Sequence, residues 1–299
     1  MLCTLVTSHP YFDGSPLAPD DQLLQSALTR RGIETQVVPW EEPHAWERSD
    51  LTLLRSTWNY FEQEHYETFC AWVRATASLT TLLNPLDVVL WNADKHYLAA
   101  LAKQGVPTIP TMWLPRGTYD LEPLLRATGW PKAVLKPCIG GNSYRARLLT
   151  SESIIAEQGP MGQWVVEQDL MLQPYLETIT DEGEHSHVFL EGRWSHAFLK
   201  RPFQVRKTHA LDEPQVFPHQ GEMDLAIGVM HTVQRLFPHT YPLLYGRVDL
   251  VRDRDGYRVM EVELIEPMLH LEYGSALARL TGAIVQRMHQ QVNGLLLLA

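Results

Sequence analysis

Three carboxylates late in the chain, Asp249, Glu261 and Glu263, have the spacing a divalent cation needs. They lie in YPLLYGRVDLVRDRDGYRVMEVELIEP, two apolar runs joined by a polar stretch ending in Asp255-Gly256, the pattern of a β-hairpin. If Arg252 and Arg258 flank a five-residue loop, Asp249 stands opposite Glu261. Side chains alternate along a strand, so Glu261 and Glu263 share one face while Met260, Val262 and Leu264 point to the other. Carboxylates this close repel unless a cation neutralises them, and an all-oxygen donor set suits magnesium or manganese, not zinc. The same pattern fits a solvated strand face with Arg247 or Arg258 in surface ion pairs, so the hairpin alone leaves both readings open.

Magnesium normally brings phosphate, and phosphate calls for cations and backbone N–H groups. Lys95 falls in the first turn of a predicted helix, Lys136 ends the strand AVLKP, and Lys200 ends the strand AFLK. Each alone fits a lysine reaching solvent equally well. After Lys136 comes CIGGNSY, in which Gly140, Gly141, Asn142 and Ser143 form a loop able to turn backbone N–H groups toward phosphate, or a plain turn. The GxxxxGK[ST] pattern of a Walker A loop is absent. Downstream, VVEQDLMLQPYLETITDEGE holds Glu167 and an extended segment, Gln173, Pro174, Tyr175 and Leu176, that could border an adenine ring or merely connect two units.

Arg55, Trp58 and Asn59 follow the strand LTLLR, and open α/β sheets bind ligands at the carboxyl ends of their strands. Arg55 is a candidate for a substrate carboxylate, against the alternative of a buried arginine paired with an acid such as Asp50. Glu266 and His270, just past the carboxylate strand, are candidates for the substrate side. His185 and His187 alternate on one strand but read as structural, since no third ligand lies at a suggestive spacing.

The elements that must position these residues are legible as periodicities. The first ninety or so residues alternate LCTLVT, a helix over Asp21 to Arg31, ETQVV, LTLLR, and a helix over Glu62 to Ala77 with Tyr66, Phe69, Cys70, Val73 and Ala77 on one stripe. A further helix starts near Asn92 or Asp94 and ends at Gly105 and Pro107; another covers Leu121 to Thr128. Trp164 to Lys200 reads as strands separated by turns, including a hairpin at Glu191-Gly192. A helix over Met223 to Phe237 and a last one bearing Leu277, Leu280, Ile284 and Met288 complete an α+β chain with a separate N-terminal α/β unit.

Composition narrows the class. The 299 residues are 45% hydrophobic and 20% charged, enough for two or three subdomains. A formal charge of −10 argues against nucleic acid or anionic membrane as partners. The N-terminus lacks a signal-peptide pattern, LLLLA is too short to span a bilayer, and a cytoplasmic location is expected. Cys3, Cys70 and Cys138 are scattered and form no CxxC, so neither a disulfide framework nor a zinc site is indicated. The first strand is followed by no GxGxxG, which removes a dinucleotide-dependent oxidoreductase.

In this order the motifs, from about Leu83 to Glu266, resemble the ATP-grasp superfamily, as in the bacterial glutathione synthetase group. RSTWNY, DKHYLAALAKQGVPTIPT, QPYLETI, SHAFLK, GRVDLVRDRDG and MEVELIEP are similar, more closely still, to the cyclo-ligases that make D-cycloserine from O-ureido-D-serine. The resemblance implies an ATP-grasp fold, two α+β subdomains gripping ATP, preceded by a Rossmann-like α/β domain, with boundaries at 1–92, 93–172 and 173–299. It implies Lys95 and Lys136 on the α- and β-phosphates, Gly140 to Ser143 as a closing loop, Glu167 or Gln173 to Leu176 beside adenine, and Lys200 at the γ-phosphate. Asp249, Glu261 and Glu263 would hold magnesium or manganese, Glu263 standing where many relatives have Asn. Lys200, Arg247 and Glu266 would serve catalysis, and Arg55, Trp58, Asn59, Glu266 and His270 the substrate. The implied partners are ATP and a small carboxylic or amino acid, with a homodimer left open. The implied reaction is ADP-forming carboxylate–amine ligation or cyclisation; a small-molecule kinase or a non-catalytic nucleotide-binding module would carry the same nucleotide site.

Overall fold

Near-continuous apolar runs such as LCTLVT and LTLLR must be covered on both faces, and here they are the centre of a parallel sheet. The computed structural model describes residues 1–9, 18–62, 64–141, 143–201, 213–240 and 242–296. Strands β1 (Leu2–Thr7), β2 (Glu34–Pro39), β3 (Leu51–Ser56) and β4 (Thr81–Leu83) pair in the order β2-β1-β3-β4, with α1 (Pro19–Arg30) and α2 (Tyr66–Ala77) as crossovers.

Two short helices follow, α3 (Leu86–Asn92) and α4 (Tyr97–Lys103). A four-stranded antiparallel sheet then forms from β5 (Met112–Leu114), β6 (Lys132–Pro137), β7 (Arg147–Thr150) and β8 (Leu170–Pro174), in the order β5-β8-β6-β7. Its own core gathers Leu125, Leu135, Leu149 and Leu172 beneath α5 (Leu121–Thr128) and α6 (Ile154–Glu167). After the single turn α7 (Thr178–Asp181), β9 (Glu184–Leu190), β10 (Arg193–Lys200), β11 (Gln215–Val216), β12 (Tyr245–Asp253) and β13 (Gly256–Glu263) pair in the order β11-β10-β9-β12-β13. Helices α8 (Gln220–Leu236) and α9 (Ala276–Leu296) complete an α+β architecture. No helix among the described residues is long and apolar enough to cross a membrane.

Leu5, Leu24, Leu28 and Leu53 of the N-terminal unit share one core with Val188, Phe198, Tyr245, Leu280 and Ile284, so α9 and the five-stranded sheet cover it. Two expectations are corrected. Trp164 to Glu167 continues α6 instead of beginning a strand, because that helix caps the four-stranded sheet and tertiary packing outweighs local propensity. Asn92 and Asp94 start no helix. Asn92 ends α3, Lys95 lies in the turn before α4, and the Asn92 side chain accepts from Leu264 N (2.7 Å) and donates to Val262 O (2.8 Å).

That last arrangement matters for β13, an edge strand whose open backbone groups need partners. Tyr97 Oη accepts from Val262 N at 2.9 Å, and residues 107–109 bond Val259 on the same edge. The strand bearing Glu261 and Glu263 is thus fixed along both sides.

Candidate functional site

The carboxylate hairpin turns through Arg254 and Asp255, with Asp253 paired to Gly256, so its loop has two residues and not five. An uninterrupted ladder from that turn would set Asp249 against Met260. One extra residue shifts the register between Asp249 and Leu250, and Asp249 therefore faces Glu261 after all, with Arg247 facing Glu263. The β9–β10 hairpin, which turns at Glu191 and Gly192, carries a second shift between Trp194 and His196 and so brings Lys200 opposite Glu184. Bulges of this kind re-aim side chains near functional sites, and both act here on charged residues.

The three carboxylates are not unpartnered, as their spacing suggested. Asp249 is fully buried and held by Arg247 through two bonds, Nε to Oδ1 at 2.8 Å and Nη2 to Oδ2 at 2.9 Å. Lys200 reaches it from β10 at 2.7 Å while also meeting Glu184 at 2.8 Å. Its side chain crosses β9 where the small Ser186 is the residue paired with Asp249. Glu261 pairs with Lys95 and Glu263 with Arg247. Lys136, half-buried at the end of β6, completes the cluster through its charge on Glu261.

These fields shift the ionisations. Burial alone would raise Asp249 and Glu261, but Arg247 and Lys200 hold Asp249 low, and Lys95, Lys200 and Lys136 hold Glu261 low. Burial lowers Lys200 less than Asp249 and Glu184 raise it, so its ammonium is secured. Glu263 is pushed up to about 7 by burial against the pull of Arg247. Glu266 is raised well above the usual carboxylate range by burial and by Glu263 and Glu261. Burial, with Lys95 nearby, brings Lys136 down to about 8.

Two further observations test the site for a cation. One oxygen each from Asp249, Glu261 and Glu263 lie within 4.8 Å of one another. Glu263 and Glu266 are raised first by burial and then by their neighbouring carboxylates, and Ser186 Oγ, beside Asp249, is buried with no hydrogen-bond partner among the described residues. The donor set is all oxygen and fits magnesium or manganese.

The loop after β6 presses against the N-terminal unit. A Cβ at Gly141 would lie 2.7 Å from the Phe61 ring, so only glycine allows that approach, and Tyr144 follows with its ring 5.5 Å from Phe61. Ser143 takes a positive φ of 59°; Asn142 lies outside the described residues. Glu167 is exposed and pairs with Arg145 of that loop at 3.2 Å. Gln173 is buried and donates to Thr111 Oγ1 at 2.9 Å, while Pro174, Tyr175 and Leu176 form the crossing from the four-stranded to the five-stranded sheet.

Beside the carboxylates a cavity of about 590 Å³ opens between α1, the end of β3 and the loop after β13, lined by Asp20, Arg55, Trp58, Met268, His270 and Glu272 among others. Arg55 is buried and donates through Nε to Asp21 at 3.0 Å and through Nη2 to Pro267 O at 3.3 Å. Its partner is Asp21 and not Asp50, whose carboxylate accepts from Leu2 N. Arg55 Nη1 is buried without a hydrogen-bond partner among the described residues, and the guanidinium lies over the Tyr245 ring, 5.1 Å from its centroid. Trp58 Nε1 donates to Glu266 O at 3.1 Å, and His270 bridges Glu213 (3.0 Å) and Glu272 (2.8 Å), which outweigh burial and raise it to about 9. Asn59 lies elsewhere, bonded to Trp40 and Glu41.

Sequence reasoning missed Asp20, Asp21, Glu184, Glu213 and Glu272. Asp20 and Asp21 read as ordinary acids in a helix first turn, and the facing of Glu184 and Lys200 depends on a bulge that the hairpin sequence does not announce. His185 and His187 both meet the buried carboxylate of Glu222, at 2.7 and 2.8 Å, a partner that no spacing in the sequence suggested.

The family model described as the N-terminal domain of D-cycloserine synthetase DcsG matches residues 3–84. The Cycloserine biosynthesis protein DcsG of Streptomyces lavendulae is 31% identical over 91% of this chain and 95% of its own length. The chain belongs to the D-cycloserine synthetase family. A crystal structure of D-cycloserine synthetase DcsG superposes with a TM-score of 0.87 at 28% identity, covering 96% of this chain and 100% of that one. D-alanine–D-alanine ligase from Bacillus anthracis, solved with ATP, shares the fold at a TM-score of 0.64 and 14% identity over 97% and 98% of the two chains. The chain has the fold of these two enzymes, one a synthetase and the other a ligase.

Proposed function

We propose that the chain is an ATP- and magnesium-dependent carboxylate–amine ligase or cyclo-ligase acting on a small carboxylic or amino acid. The observation that carries this reading is the meeting of Lys95, Lys136 and Lys200, from three separate elements, around Glu261, beside a cavity lined by Arg55. Residues 93–172 would close over the nucleotide, 173–299 would carry the metal ligands, and 1–92 would contribute the substrate wall.

The chemistry asks little of acid–base catalysis at its first step. A carboxylate oxygen of the substrate attacks the γ-phosphorus of ATP, the bond to the bridging oxygen breaks, and ADP leaves; a nitrogen then attacks the acyl carbon, the bond to the phosphate oxygen breaks, and the nitrogen gives up its proton as phosphate leaves. Lys95 and Lys136 would hold the inner phosphates, Lys200 and Arg247 the transferring group, and Arg55 with Trp58 the acid. Magnesium, held by Asp249, Glu261 and Glu263, would supply charge neutralisation on the phosphate oxygens. The raised pKa of Glu266 suits it to hold a proton next to the acyl centre.

Phosphate release measured against a panel of carboxylic and amino acids, with and without an added amine, tests this directly. Equal yields of ADP and free phosphate, with a phosphate-free product, are expected; accumulation of a phosphorylated acceptor would instead mean a kinase. Replacing Arg55 by lysine should raise the KM of the acid about tenfold and leave that of ATP unchanged.

Lys136 gives a pH signature. Its pKa is depressed to about 8 from the model-compound 10.5, so the free protein loses this cation as pH rises through 8. The anion-bound form favours the proton, and nucleotide affinity should therefore fall by up to about tenfold per pH unit between pH 8 and 10. The sign for folding is opposite: the unfolded lysine binds its proton more tightly, so this group adds stability as pH rises through that window. Titrating nucleotide binding against pH checks this, and Lys136→Arg should flatten the slope.

A further inference from the structure

Behind the phosphate-facing lysines lies a second cluster that the reaction does not use. One donor atom each from Asp94, His96 and Cys138 lie within 4.8 Å of one another. The cluster joins the turn before α4 to the residue after β6, two segments tied by Lys95 N donating to Cys138 O at 2.8 Å. Asp94 Oδ1 and His96 Nδ1 are 2.7 Å apart.

The surroundings are those of a metal-bound imidazole. Histidine ligands usually direct their second nitrogen to a carboxylate that fixes the ring, and His96 Nε2 faces Asp169 Oδ2 at 3.9 Å. Asp169 is itself anchored, its Oδ1 accepting from Arg116 N at 2.9 Å and its backbone O from Cys138 N at 3.0 Å. The imidazole lies nearly flat on Trp113, ring centres 4.7 Å apart and planes 26° apart, which leaves it little freedom to turn. Cys138 is buried, whereas the side chains of Asp94 and His96 are 37% and 41% exposed, so an ion has an entry side and room for a water as fourth ligand.

We propose that Asp94, His96 and Cys138 bind a thiophilic divalent cation of the zinc type, with Asp169 orienting the imidazole. A thiolate, an imidazole and a carboxylate form a set that zinc or cobalt accepts and magnesium does not. Burial and the carboxylates of Asp94 and Asp169 push the free thiol up, so the metal must displace its proton to solvent, and affinity should rise with pH. An ion here would lock the backbone that carries both Lys95 and Lys136.

Cobalt titration of the full chain in excess magnesium tests the site. The expected result is one tightly bound equivalent with a thiolate-to-cobalt charge-transfer band, displaced by zinc and lost in Cys138→Ser. His96→Ala and Asp169→Asn should each weaken binding about 10- to 100-fold. Thermal unfolding in chelator should be alike for the wild type and Cys138→Ser, which shows that the serine variant folds. Absence of the band in the wild type overturns the proposal. So does a band that persists in Cys138→Ser, or zinc bound equally well by His96→Ala, which would mean surface histidines only.

Discussion

Replacing Glu261 by glutamine is expected to lower ATP-dependent phosphate release by at least about 10³-fold while the chain stays folded. Glu261 is the carboxylate on which Lys95, Lys136 and Lys200 all act, and one of three oxygens close enough to share a cation. Glutamine keeps its shape and an acceptor for Lys95 but removes the charge. The fold should survive because β13 is held by backbone and by Asn92 and Tyr97 rather than by this side chain. Nucleotide binding without metal should be unchanged or tighter, since a repelling carboxylate has gone. Unaltered phosphate release in the variant would remove Glu261 from the machinery, and lost nucleotide binding would point to a collapsed cleft.

The largest loss of stability is expected at Asp20, in the wall of the cavity. Its carboxylate accepts three buried backbone N–H groups, from Leu269 at 2.7 Å, His270 at 3.0 Å and Leu271 at 2.8 Å. The loop it clamps includes His270 at a positive φ of 48°, a conformation that a non-glycine residue holds only when its surroundings insist. Asp20→Ala strands those donors, and at roughly 1–3 kcal/mol for each, partly relieved by water, the chain should lose about 4 kcal/mol. Calorimetry should show a midpoint lower by roughly 10 °C. Asp50→Ala, which removes a single exposed bond to Leu2 N, is the control and should cost less than about 1 kcal/mol.

How far the sequence could be read depended on the range of the interaction. Strand and helix periodicities located most elements, and α5 matches its expected bounds, Leu121 to Thr128. The stretch Trp164 to Glu167, expected to begin a run of strands, is instead the end of α6, which packing on the four-stranded sheet sustains. The facing of Asp249 and Glu261 was anticipated through the wrong loop: a longer turn and a short turn with a bulge give the same register, and composition does not distinguish them. The Asp21–Arg55 and Glu213–His270 pairs join residues 34 and 57 apart in the chain, and no local pattern announces them. The same holds for Cys138, which has no cysteine neighbour in sequence yet meets Asp94 and His96 in space.

The two bulges also separate each hairpin into halves that answer to different demands. Between the tip at Arg254-Asp255 and Asp249, the extra residue absorbs a change of register that a rigid ladder would pass on to the charges. Length at the tip and placement of the carboxylates are therefore independent variables, and natural variants can trade turn length against a bulge without moving the chemistry. For the engineer this makes the Arg254-Asp255 tip an insertion point, where a peptide tag or reporter can be grafted at the outer end of a strand whose inner end does the work.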